Sequence, residues 1–101
     1  MMSTSTPHPG VVLSALLVLA GQPLPAGVYR LAALDVGVGP TGWGDAVRHL
    51  RARGHLVESV DASGVTLWAA GPALRLDTWG TLDDALVAQC RAALTPRPGG
   101  A

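Results

Sequence analysis

Residues 43–68, WGDAVRHLRARGHLVESVDASGVTLW, decide the fold, because their hydrophobic period changes from helical to strand-like at Gly54. Trp43, Val47 and Leu50 lie eleven, seven and four positions before that glycine, which puts all three on one helix face. Glycine is the usual residue where a helix closes. Beyond it, HLVESV and VTLWAA are strand-like runs joined by Asp61-Ala62-Ser63-Gly64, with Asp first and Gly last as a type I turn prefers. The spacing predicts a helix over 45–53 and then a β-hairpin.

Working outward, the run 11–20, VVLSALLVLA, is polar only at Ser14 and is bounded by Pro9 and Gly21. With the following GQPLPAG it has the outline of a signal peptide. However, no Lys or Arg precedes Arg30, and ten residues are too few to span a bilayer, so a buried helix and no membrane contact are expected. A second helix is predicted to open at Pro25, with Val28, Leu31 and Leu34 along one face, and to stop near Asp35. The Gly- and Pro-rich DVGVGPTGWG that follows predicts irregular chain. Downstream, the apolar ALRL precedes a Thr81 cap and a last helix, LDDALVAQCRAAL, whose Asp83 and Asp84 suit the positive end of the helix dipole.

Composition narrows the classes. The chain has 101 residues, 49% hydrophobic, with 7 basic against 7 acidic side chains, which excludes a charge-expanded disordered protein and allows one core. A single cysteine, Cys90, excludes a disulfide framework and a cysteine zinc cluster. Lys, Asn, Ile and Phe are all absent, the mark of a GC-rich and, we expect, bacterial genome. Any nucleic-acid binding must therefore rest on a few arginines.

Three helices followed by a hairpin, with the apolar spacing before Gly54, resemble a winged helix-turn-helix domain of the biotin-operon-repressor kind. The resemblance runs from Val11 to Ala70 and is carried best by residues 43–68, with Val57, Val60, the Gly64 turn and Leu67 in the positions of the next strand and wing. It implies a mainly α, α+β fold with a small hairpin and an added C-terminal helix. The expected layout is a disordered arm over 1–9, a winged helix core over 10–70, a strand and helix extension over 71–94 and a disordered tail over 95–101. The function it implies is binding of double-stranded DNA by a cytoplasmic transcriptional regulator, without enzymatic activity or cofactor, through the helix 41–53 in the major groove. The link between the second and third helices is longer than that family's turn of three or four residues.

On that reading Thr41, Asp45 and Arg48 face the bases, with His49 at the margin, and Arg48 is suited to a bidentate contact with guanine. Arg51 and Arg53 flank them toward the phosphates, and Arg30 adds a further phosphate contact. Asp45 can also pair with Arg48 or His49 one turn on. Zero net charge favours an alternative, a winged helix used only for protein interaction.

A second resemblance competes for the same loop. Gly37, Gly39 and Gly42 spell G-x-G-x-x-G ahead of a helix, and Asp61 lies 19 residues beyond, which resembles a dinucleotide-binding fingerprint. In that fingerprint the glycines admit a pyrophosphate and Asp61 takes the ribose hydroxyls, but the chain is short of strands for such a sheet. His8, His49, His55 and Cys90 match no zinc spacing, so no metal site is expected. Trp43 and Trp68 read as packing residues and Trp79 as an interface residue. Because 11–20 is apolar nearly all round, a homodimer through residues 11–20 and 82–94 is also expected, with Leu82, Leu86, Cys90 and Ala93 or Leu94 forming the covering stripe.

Overall fold

A computed structural model describes residues 8–76, 78 and 83–94. The described residues form an α+β fold of four helices and one three-stranded antiparallel sheet. The elements are α1 (Pro9–Ala20), β1 (Leu24–Pro25), α2 (Ala26–Val36), α3 (Trp43–Ala52), β2 (Leu56–Val60), β3 (Thr66–Ala70) and α4 (Asp84–Leu94). The strands lie in the order β1-β3-β2, so the hairpin strand β3 is central and β2 is an edge.

The apolar run 11–20 is the axis of the core. Pro9 occupies the first turn of α1, where its missing N–H costs nothing, and the His8 imidazole caps the helix by accepting the Gly10 N–H through Nδ1 at 3.0 Å. Val12, Leu13, Ala15, Leu16 and Leu17 have no exposed surface, because α2, α3, α4 and β3 all pack around this helix. The middle of the run is thus covered within the domain and lends no support to the homodimer expected through 11–20 and 82–94, while Val11, Val18, Leu19 and Ala20 stay half-buried. Of the α4 stripe, Cys90 is buried and Leu86, Ala93 and Leu94 pack half-buried against the core, where α4 meets α1 and α2. Leu82, Thr81 and Trp79 lie outside the described residues.

The second helix is rotated from its expected setting. Tyr29, Ala32 and Ala33 face the core, with Val36 half-buried one turn on, while Val28, Leu31 and Leu34 point outward at 36%, 66% and 49% exposure. Small side chains on the inner face let α2 pack closely against both α1 and α4, and the bulkier leucines take the solvent side. Tyr29 is the large residue of that inner face, with its ring stacked on Trp68 at 6.2 Å. Trp43 lies 6.4 Å from Trp68 on another side, so Trp43 and Trp68 do pack in the core. The Tyr29 hydroxyl donates to the Gln22 carbonyl at 3.4 Å, and burial pushes its pKa up to about 12.

Helix α3 and the hairpin follow the reading of residues 43–68. Trp43, Ala46, Val47 and Leu50 are buried, and the His55 N–H donates to the Leu50 carbonyl at 2.9 Å, closing the helix around Gly54. The hairpin register runs without a bulge from Leu56↔Ala70 to Val60↔Thr66. Its turn is tied by the Gly64 N–H on the Asp61 carbonyl at 3.0 Å, the hydrogen bond of a four-residue turn.

Two local features were not foreseen. Strand β1 has two residues, one of them proline, too few for any periodicity, and it exists because Leu24 and Pro25 lie along Trp68 and Leu67 of β3. The ALRL segment is not a strand: Leu74 is buried, and its N–H donates to the Gly71 carbonyl at 3.1 Å in a turn. Gly71 passes so close to the end of α3 that an added Cβ would overlap the Gly54 carbonyl oxygen.

Candidate nucleic-acid interface

Burying Trp43, Ala46, Val47 and Leu50 leaves the opposite side of α3 to solvent, and that side carries the sequence-predicted site residues. Thr41, Asp45, Arg48, His49, Arg51 and Arg53 are all exposed. Arg30 stands apart from them on α2, beside a recess whose other walls include Leu34, Val38, Pro40 and Trp43. The link between α2 and α3 is the six residues 37–42, shorter than the sequence implied because α2 runs on through Val36 and α3 begins at Trp43.

Two of these arginines are engaged by neighbouring acids. Arg48 pairs with Asp45 one turn earlier on the same helix, with both side chains about three-quarters exposed at 75% and 79%. An ion pair so open to water contributes about 0–1 kcal/mol, so Arg48 can leave it for another partner at small cost. Arg51 reaches off the helix to Glu58 of β2, where the two side chains are 48% and 38% exposed. Glu58 was not singled out in the sequence, where six intervening residues and a change of secondary structure hide the pairing.

The turn between β2 and β3 is acidic. Asp61 Oδ1 accepts from the Ser63 hydroxyl at 2.7 Å, the Ser63 N–H at 2.8 Å and the Val65 N–H at 3.0 Å. These bonds, the Ser63 hydroxyl first and the Val65 N–H next, hold its carboxyl below the usual carboxylate range. The turn therefore stays negatively charged at neutral pH. Across α3 and the hairpin, Arg48, Arg51 and Arg53 are matched by Asp45, Glu58 and Asp61.

At the other end of α3, a recess is walled by His8, Pro9 and Gly10 of the α1 start and by Gly42, Asp45 and His49. It brings the capping His8 into the neighbourhood of two predicted site residues, a juxtaposition that required the docking of α1 on α3. Among the described residues no three His, Cys, Asp or Glu side chains gather where they could hold a metal ion. Cys90 is buried in α4, and burial pushes its thiol pKa up.

The glycine fingerprint lacks its frame. It requires a strand before the glycines and a parallel strand after the helix, whereas residues 26–36 are helical and the sheet is antiparallel. Gly37, at φ +104°, ends α2 with its N–H on the Ala33 and Leu34 carbonyls, and Gly42, at φ +82°, starts α3. Both sit in the left-handed region that glycine enters without strain. Gly39 has open space around it, and the Asp61 carboxylate is occupied by its own turn.

Among the described residues no helix is long and apolar enough to cross a membrane. No family model, curated protein or solved structure compared with the chain matches it.

Proposed function

We propose that the chain is a winged helix domain that binds double-stranded DNA through α3, with the β2–β3 hairpin as its wing, and acts as a cytoplasmic transcriptional regulator. The observation that carries this reading is the division of α3 into a fully packed face and an exposed face bearing Arg48 and Arg51, with Arg53 just past its end. The element order helix, strand, helix, helix, strand, strand, with the short first strand beside the last, supports the same architecture. Arg48 is the base reader in this reading, because its surface pair with Asp45 is easily exchanged for the bidentate edge of guanine. Arg53 and Arg30 contact phosphates, and Arg51 contributes less because Glu58 holds it.

The balanced charge sets the expected strength. Non-specific affinity comes from neutralising phosphates, and a face that carries three arginines and three acids, two of each in ion pairs, has a small phosphate term and a shallow salt slope. The test is binding to a selected oligonucleotide pool at low and moderate salt. Arg48→Ala should cost roughly 1–3 kcal/mol on the selected sequence and little on others, whereas Arg53→Ala should weaken all sequences alike. Equal binding by the wild type and both variants would reject the α3 reading.

A second reading, a winged helix that binds a protein rather than DNA, is favoured by the outward apolar stripe Val28, Leu31 and Leu34 on α2. Its acidic hairpin turn would repel phosphate. Absence of any selected DNA sequence would leave this reading in place.

A further inference from the structure

Among the described residues no strand pairs with the outer edge of β2, and that edge has the chemistry of a strand-pairing site. Two hydrogen bonds fix which backbone groups it offers: the Gly71 N–H donates to the His55 carbonyl at 2.8 Å, and the Asp61 N–H donates to the Val65 carbonyl at 3.0 Å. In an antiparallel ladder the bonded pairs alternate, so residues 57 and 59 point their N–H and C=O groups at β3. Leu56, Glu58 and Val60 point theirs to the open edge.

Folded proteins usually blunt such an edge with proline, lysine or a bulge. This one has none of them. The register is unbroken, the segment LVESV contains no proline, and its one charge, Glu58, is already paired with Arg51. Val60, at the end of the strand, is 63% exposed.

We propose that this edge pairs antiparallel with β2 of a second copy of the chain, about a two-fold axis through Glu58, joining two three-stranded sheets into one of six strands. The segment itself argues for a second copy rather than an unrelated strand, because LVESV has an apolar residue at each end and its charge at the centre. The two-fold axis therefore sets Val60 of each copy beside the Leu56 backbone of the other, the Leu56 side chain staying in its own core, and uses every outward backbone group from 56 to 60. It also brings the two Glu58 carboxylates together. Like charges facing across strands repel, but each carboxylate arrives with its own Arg51 guanidinium, whose remaining donors reach the opposite Glu58. The result is a closed arrangement of two arginines and two glutamates.

Five residues from each chain make a small interface, so the dimer should be weak, with a dissociation constant on the order of tens of micromolar. This inference does not depend on DNA binding and is tested without nucleic acid. Sedimentation equilibrium of the full chain, from about 1 to about 500 μM, should show a monomer–dimer equilibrium in that range. Val60→Pro removes one outward N–H without touching the β3 ladder, as an edge strand tolerates, and should give a folded monomer by circular dichroism. Glu58→Arg should weaken pairing at least about tenfold by facing four cations, and Arg51→Glu with Glu58→Arg should restore it. If Val60→Pro does not fold, the charge variants decide.

A wild type that stays monomeric throughout would overturn the proposal. So would a dimer indifferent to Val60→Pro and Glu58→Arg, and one abolished instead by Leu31→Asp would place the contact on the α2 stripe.

Discussion

The surroundings of α1 and the β2–β3 hairpin are built on opposite terms. Around α1, five apolar side chains from Val12 to Leu17 are sealed from water, and the one polar side chain among them, Ser14, makes no hydrogen bond through its hydroxyl. Along β2 only Leu56 is buried, and the remaining side chains are exposed valines, a serine and an ion-paired glutamate. The fold's stability thus sits in one place and its adaptable surface in another. Two of the arginines on that surface, Arg48 and Arg51, are held in ion pairs with Asp45 and Glu58.

The sharpest way to break this contrast is to substitute one side chain in each region. Leu16→Ala should cost about 2–5 kcal/mol, because α1 is enclosed on all sides and the cavity cannot collapse. Val65→Thr, at 42% exposure beside the hairpin turn, should change stability by less than about 0.5 kcal/mol. Urea denaturation of both variants checks the pair, and comparable losses would mean that the hairpin is as tightly built as the core.

A smaller effect is expected where the two regions join. Gly71→Ala should cost about 1–3 kcal/mol, because its Cβ meets the backbone of Gly54, which cannot swing aside as a side chain would. Gly39→Ala, in open space, serves as the comparison and should cost little. Equal stabilities would show that the β3 exit does not lie against the end of α3.

The mildest perturbation is of pH. Tyr29 is the only tyrosine, so its ionisation can be followed directly by tyrosinate absorbance. Burial raises its pKa from 10.0 to about 12 in the folded chain. The stability linked to this group is therefore fully present below pH 10 and is lost as pH rises through about 12. A midpoint near 12, moving to about 10 in denaturant, is the expected titration. A midpoint of 10 in the native protein would mean that Tyr29 is not packed between Trp68 and α1.

The local readings succeeded where a single segment carries its own answer. Trp43, Val47 and Leu50 before Gly54 needed no partner to define a helix face, and the Asp61–Gly64 turn is set by the residues within it. Segment 11–20 likewise read as a buried helix, since a run that apolar has nowhere else to go in a small domain. The exposure of Asp45, Arg48, His49 and Arg51 on α3 was legible for the same reason, because exposure on an amphipathic helix follows from the buried face.

What required the tertiary structure was every choice between two apolar faces or two possible partners. Helix α2 has Val28, Leu31 and Leu34 on one side and Tyr29, Ala32 and Ala33 on another, and close approach to both α1 and α4 selected the small residues. The pairing of Arg51 with Glu58 and the two-residue strand β1 both arise from parts of the chain brought together by docking, with no local period to announce them. The sequence by itself determined that helices lie near 11–20, 25–35, 45–53 and 82–94 and a hairpin between the last two, each to within a few residues, because backbone propensity and periodicity act within a few residues. Only the packed structure decided which surfaces remain open, because that depends on which neighbour covers each face.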